Sequence, residues 1–484
     1  MSLSQSCSAE ANLLRVSPAF SMSLGSKELF HTNFLAFLLE ADDPSLQQVQ
    51  LSIRQALAFS PGVGCVVPCA VWREKSNLDL VVVELRPAGP GDADFEHEAA
   101  EDQGDASDSG MQEPWWDWDA VSGWQHAKSK VPAAAARGVT GGTAAAAPRL
   151  VPSGRVLVVE AKLKSIPRLE QLVAYDDFIA KSGLTLPYPE DGVPSWQLRI
   201  QHQPVERCLL TIGGTTLQTP PTAVRAHACL WSGVSWSQLQ KAMAGSLATI
   251  TGSSFHATLT DYVSMLGALV KMARQAVHLC NDAQRARVPY GAMRAQVLDA
   301  TIKTLRLRDL LGKALFDHWL QGYLLPKVAA SISPLPAGWR FDSYTHYTRD
   351  TPGIGVELIN DAFVSHVKGG PPELRLGIQI QGAEFRLFVS VDRAYPGLEA
   401  WIARHRILLN QWHLMPLFHN VSPIGFRGRP VLPPTAKGRA TNLKRFGLSR
   451  FLYSKCDIDD RPVDEVVDEV ARVMAAAQSL LPHL

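Results

Sequence analysis

No apolar run in this sequence reaches the roughly 18 residues that a bilayer-spanning helix needs, so no membrane partner is expected. Cysteine is scarce: seven in 484 residues form no disulfide framework. Cys65 and Cys69 stand four apart in an apolar stretch with no matching second pair, which reads as packed, reduced thiols rather than zinc ligands. An excess of either charge is missing too. The 47 Lys and Arg against 46 Asp and Glu leave a net +1, so any pull on nucleic acid must come from local patches. The opening residues, MSLSQSCSAEANLLR, lack the basic start and apolar core of a signal peptide. A reducing cytoplasm is therefore the expected location. Neither a phosphate-binding glycine loop of the P-loop type nor a dinucleotide fingerprint appears, which argues against a transferase or other small-molecule enzyme.

What is present is a globular composition, 46% hydrophobic and 19% charged, in a chain long enough for two or more domains. Residues 1–26 read as a flexible N-terminus. Helical spacing begins at Lys27, in KELFHTNFLAFLLE, breaks at Asp43 and Pro44, and resumes to about Phe59. Strands are expected at 65–74, 77–85, 155–163, 205–212 and 225–233, with helices at 166–182 and 235–244. The segment 87–150 differs in kind. From Pro87 to Ala127 it holds 11 Asp or Glu and no Lys or Arg, and beyond Ala127 alanine and glycine dominate. So little apolar surface cannot offset the entropy of ordering, and a disordered insertion is expected. Its exception is EPWWDWDAVSGW, with Trp115, Trp116, Trp118 and Trp124, which looks built to dock. Residues 251–484 read as an α+β domain: helices at 257–284 and 291–323, four strands between 338 and 391, a helix at 397–411, a basic loop, and a last helix at 463–481.

Chemistry concentrates in RVLVVEAKLKSIPRLEQLVAYDDF, residues 155–178. Four apolar residues run into Glu160 and Lys162, which share one face of a strand because side chains alternate. Taken alone, a strand-end salt bridge is the commoner explanation. In NLDLVVVEL, however, Asp79 also interrupts an apolar run, and a desolvated carboxylate is costly unless paired or bound to a metal. Asp79 and Glu160 on adjacent strands could hold a hard divalent cation, with Lys162 beside it to orient water or stabilise charge on a phosphate. Gln171 and Tyr175, four apart, share a helical face. They could position a substrate or the lysine, although a solvated face with an interfacial tyrosine is locally the commoner case.

The order helix, strand, strand with Asp79, strand with Glu160-x-Lys162, helix with Gln171-x-x-x-Tyr175, then two more strands resembles the PD-(D/E)XK nuclease superfamily. The resemblance covers residues 27 to about 233, and SLGSKELFHTNFLAFLLE resembles the opening helix of bacterial members. It implies an α/β fold: a restriction-endonuclease-like αβββαβ core with a mixed sheet over 27–250, with the C-terminal α+β domain after it. It also implies Mg²⁺ or Mn²⁺ held by Asp79 and Glu160, with Glu28 as a helix carboxylate and the Ala161 carbonyl as a further ligand. Lys162 becomes the catalytic lysine, while Gln171 and Tyr175 match the branch that includes recombinational-repair exonucleases. Leu78 stands where many members carry proline. Lys164 is a competing lysine, but Lys162 has the family's spacing from Glu160.

Residues 426–450 hold seven Lys or Arg and no acid. Arg427, Arg429, Lys437, Arg439, Lys444 and Arg445 are candidate phosphate contacts, a solvated loop being the equal alternative. For 340–353 an edge strand is the commoner reading. His31, His346, His405, His413 and His419 have no metal spacing and are expected in cores or on surfaces. The insertion is expected to leave the candidate metal site and return to it, either covering the cleft or as a tolerated surface excursion. Together these readings imply a metal-dependent nuclease, with DNA the first expectation as substrate and RNA left open, in phage defence or repair, alone, as a homo-oligomer or with a partner subunit. The rival is a catalytically silent nuclease fold that binds nucleic acid or serves as a scaffold.

Overall fold

The computed structural model describes residues 6–24, 27–41, 43–59, 68–75, 78–87, 89, 150–162, 172, 175–176, 179, 205–211, 231–280, 300–332, 334–348, 351–360, 374–392, 398–418, 444–446, 449–458 and 461–484. It begins with helices α1 (Ser8–Val16), α2 (Pro18–Ser23), α3 (Lys27–Glu40) and α4 (Gln47–Ala56). Strands β1 (Cys69–Lys75), β2 (Leu78–Pro87), β3 (Leu150–Lys162), β4 (Val205–Thr211) and β5 (Trp231–Ser235) come after them. Helices α5 (Trp236–Ser246), α6 (His256–Cys280), α7 (Ala300–Thr304), α8 (Arg308–Trp319) and α9 (Leu325–Ser331) are next. The rest comprises β6 (Trp339–Thr348), β7 (Thr351–Asn360), β8 (Leu374–Gln381), β9 (Glu384–Asp392), α10 (Leu398–His413), β10 (Lys444–Phe446), β11 (Ser449–Asp457) and α11 (Val463–Leu480).

The first sheet runs β1-β2-β3-β4-β5. Its β1/β2 and β2/β3 pairs are antiparallel and its β3/β4 and β4/β5 pairs parallel, so it is mixed. The central strands are apolar without alternation because both faces are covered. On one face Leu80, Val82, Leu157 and Val159 join a core that includes Leu35 and Leu39 of α3. On the other, Val81, Val83, Val156 and Val158 pack with Leu172, Ile179 and Trp231. Leu172, Tyr175, Asp176 and Ile179 are helical; the remainder of the helix expected at 166–182 lies outside the described residues.

The second sheet is antiparallel throughout, in the order β10-β11-β9-β8-β7-β6, and β6 is an edge, as expected for 340–353. Its apolar face carries Val356, Leu376, Ile378 and Leu387, continuous with the core of the first half. The expected division near residue 250 falls between α5 and α6, which pack on one another. On the second sheet's other face Arg375 pairs with Glu357 at 2.6 Å, both almost fully buried. Two rings lie over glycines there: a Cβ on Gly355 would fall 2.2 Å from Tyr344 Cζ, and one on Gly377 2.6 Å from Phe388 Cζ.

Four expectations are corrected. Within the N-terminus expected to be flexible, α1 and α2 are ordered, because Leu14 and Phe20 are buried and both helices pack on α6. Ser17 Oγ caps α2 by accepting from the Phe20 N–H at 3.0 Å, with Pro18 in the first turn. The helix expected at 291–323 is broken after Thr304, where Arg306 adopts φ 51°, and α8 ends in a π turn, Leu320–Leu324. Part of the basic loop, 444–446 and 449–450, is strand in β10 and β11. The rest of that loop is outside the described residues, as are the four tryptophans and nearly all of the insertion.

The fourth correction concerns where the insertion leaves the sheet. Pro87 pairs with Leu150, so its two ends emerge together from the last residues of β2 and the first of β3. Asp79 is near the start of β2 and Glu160 near the end of β3. In an antiparallel pair those positions are at the opposite end, roughly 25 Å away along the strands. The insertion does not depart from the candidate site.

Candidate active site

Two apolar strands each place a carboxylate at the same sheet end. The β2/β3 register pairs Leu80 with Val159, so Asp79 and Glu160 lie one residue beyond that pair. Asp79 is half-buried, and its Oδ2 accepts the Ala161 backbone N–H at 2.7 Å. Glu160 is 0% exposed. Its Oε1 accepts the Tyr175 hydroxyl at 3.2 Å. The helical segment after β3 thus reaches back over the sheet to the carboxylate that ends it. At 3.2 Å the bond is long for a hydroxyl donor, and its effect is to limit the rotation of the carboxylate.

Asp79, Glu160, Ala161 and Tyr175 are therefore brought together. Lys162 is the last residue of β3, its backbone registered with Thr211, and Glu28 is in the first turn of α3; their side chains lie outside the described residues. Gln171, Arg427, Arg429, Lys437 and Arg439 lie outside as well. Lys444 and Arg445 form β10, the edge of the second sheet, with side chains not among those described. Among the described residues no group of three or more His, Cys, Asp or Glu converges to hold a metal ion. A pair of carboxylates is nonetheless the donor set Mg²⁺ takes, since it retains much of its water shell and prefers oxygen.

Three further side chains stand behind Tyr175 that sequence reasoning did not single out. Asp176 forms an ion pair with Arg207 of β4 and accepts from the Trp231 indole N–H of β5 at 3.3 Å. The Trp231 and Tyr175 ring centroids are 6.2 Å apart. The available signals were an acid directly after Tyr175 and the charged pair Glu206 and Arg207 opening the strand-like run VERCLLTI.

The remaining candidates among the described residues are structural. His31 is buried, with Nδ1 2.9 Å from the Tyr262 hydroxyl and its ring against Trp236. His405 Nδ1 lies 2.8 Å from the Trp401 carbonyl, and His413 is buried. The His346 side chain and all of His419 are outside the described residues. Cys65 is outside too, while Cys69 accepts from Arg54, and burial pushes its thiol up to about 12. No helix among the described residues is long and apolar enough to cross a membrane. Comparison with models of protein families, with characterised proteins and with solved structures found no match to this chain.

Proposed function

We propose that this chain is a metal-dependent nuclease that hydrolyses phosphodiester bonds, in DNA rather than RNA, with a restriction-endonuclease-like core. The supporting architecture is the chain order α3, β1, β2, β3, the helical residues Leu172, Tyr175, Asp176 and Ile179, then β4, built on a mixed sheet. The observation that carries the reading is the meeting of Asp79 and Glu160 at one sheet end, with Tyr175 bonded to Glu160. Carboxylates in a largely apolar setting call for hydrogen-bonding or cationic partners, and an oxygen-preferring divalent cation suits a pair of them.

In this reading Asp79, Glu160 and the Ala161 carbonyl would hold Mg²⁺ or Mn²⁺, with Glu28 in support. The bound ion would polarise the scissile phosphate and lower the pKa of water. Lys162 orients the attacking water and offsets the charge that develops on phosphorus-bound oxygen. Tyr175 holds the Glu160 carboxylate in place, and Gln171 positions the nucleic-acid backbone. Lys444 and Arg445 on β10, with Arg427, Arg429, Lys437 and Arg439, supply phosphate contacts that need no base recognition. Phage defence or repair in the cytoplasm, with or without a partner subunit, would use such an enzyme.

The test is cleavage of linear and closed circular DNA with Mg²⁺ or Mn²⁺. Wild-type cleavage that is lost with EDTA and in both Asp79→Ala and Lys162→Ala supports the reading. A folded wild type that binds DNA and cuts neither form replaces it with the scaffold reading.

A further inference from the structure

We propose that Asp176, Arg207 and Trp231 form a clamp that holds the Tyr175 hydroxyl on Glu160, which makes them positioning residues for that carboxylate. The inference rests on the nuclease reading only for its link to metal; the clamp itself stands on geometry. Arg207 and Trp231 are register partners on β4 and β5, and Arg207 is also the partner of Val158 on β3. Glu160 lies two residues beyond Val158, on the same face of the sheet. Asp176 is 3% exposed, forms an ion pair with Arg207 through one oxygen and accepts the Trp231 N–H through the other. Arg207 is pinned in turn, donating from Nη1 to the Val205 carbonyl at 2.8 Å. The residue before Asp176 is Tyr175, so the rotation and height of the helical segment over β3 are set one residue from the phenol that meets Glu160.

Apolar contacts alone would hold this segment down, as Leu172 and Ile179 do. A buried ion pair generally gains little stability over well-packed apolar side chains. What a carboxylate bonded to two strands adds is direction. Groups that orient a metal ligand commonly alter metal affinity by about 10- to 100-fold when removed.

The experiment uses full-length protein labelled with 3-fluorotyrosine. The ¹⁹F resonance of Tyr175 is assigned by its loss in Tyr175→Phe. Asp176→Asn removes the charge, and Arg207→Gln removes its cationic partner while leaving the Trp231 ring beside Tyr175 in place, so the second variant serves if the first fails to fold. The clamp predicts that the Tyr175 resonance shifts or broadens in each folded variant while the other tyrosines stay in place. An unmoved resonance in a folded variant overturns it. Mn²⁺ titration of the same samples reads the link to metal. Asp176→Asn should weaken binding about tenfold, and the Asp176→Asn/Tyr175→Phe double variant should weaken it no further than Tyr175→Phe alone. Additive losses, or no loss in Asp176→Asn, would separate the clamp from the site. A wild type that binds no Mn²⁺ would count against the nuclease reading and leave the ¹⁹F result to decide the clamp.

Discussion

Asp79 of β2 accepts the backbone N–H of Ala161 of β3 at 2.7 Å, so one candidate metal carboxylate fastens the strand that presents the other. Charge and hydrogen bonding at position 79 can therefore be separated. Asn offers an acceptor of the same shape, whereas Ala leaves the Ala161 N–H without this partner. Asp79→Asn should stay within about 1 kcal/mol of wild type, and Asp79→Ala should lose about 1–3 kcal/mol in chemical denaturation. Both should abolish cleavage. Equal stability of the two variants would deny the tie.

Tyr175→Phe removes one hydrogen bond to a fully buried carboxylate. A loss of about 0.5–1.5 kcal/mol is expected, the usual net contribution of one hydrogen bond. Turnover should fall more than DNA affinity does, because the phenol acts on Glu160 rather than on the bulk of the nucleic acid. Unchanged kcat with raised KM would instead make Tyr175 a substrate contact.

Asp317 supplies a pH prediction. Burial raises its pKa above 3.8, with Lys313 and Thr345 opposing in part. Below about pH 3 the folded and unfolded carboxyls are both protonated, and the group makes no difference. As pH rises the unfolded carboxyl ionises first, so Asp317 progressively destabilises the fold until its folded form also ionises. The Tm advantage of Asp317→Asn over wild type should widen from pH 4 toward neutrality. An advantage that shrinks over that interval would mean that the attraction of Lys313 outweighs desolvation.

The thiols of half-buried Cys69 and of buried Cys208 and Cys456 are each pushed up to about 12, in every case chiefly by desolvation. At pH 8 almost none of each is the reactive thiolate. Peptide mapping after iodoacetamide treatment should find all three unmodified in native protein and alkylated in urea. Native labelling at Cys208 would show that the β4 core opens.

Gly355 and Gly377 hold two aromatic rings flat on the second sheet. With Tyr344 Cζ 2.2 Å from the Cβ that Gly355→Ala would add, the ring must move. A loss of about 1–3 kcal/mol is expected, the usual range for overpacking a core. Tyr344→Ala in the same background should relieve the clash, so the pair should be non-additive.

The strands that carry Asp79 and Glu160 were legible because an apolar run buried on both faces makes any charge within it conspicuous. Tyr175 was legible by its helical spacing from Gln171. The Asp176 clamp was not, since its partners are on β4 and β5 and only register brings them together. Helices α1 and α2 were hidden by their short, polar sequences; packing on α6, not propensity, stabilises them. In β10 and β11, basic residues diluted the alternation that marks a strand. The exit of the insertion is not legible in the sequence because length says nothing of direction, whereas pairing of Pro87 with Leu150 does.

The central claim is that Asp79 and Glu160 bind a catalytic divalent cation, and Mn²⁺ binding by isothermal titration calorimetry tests it without needing the right nucleic acid. The account predicts binding in the wild type that is lost in both Asp79→Asn and Glu160→Gln while each remains folded. Mn²⁺ bound equally well by the wild type and both variants would contradict it.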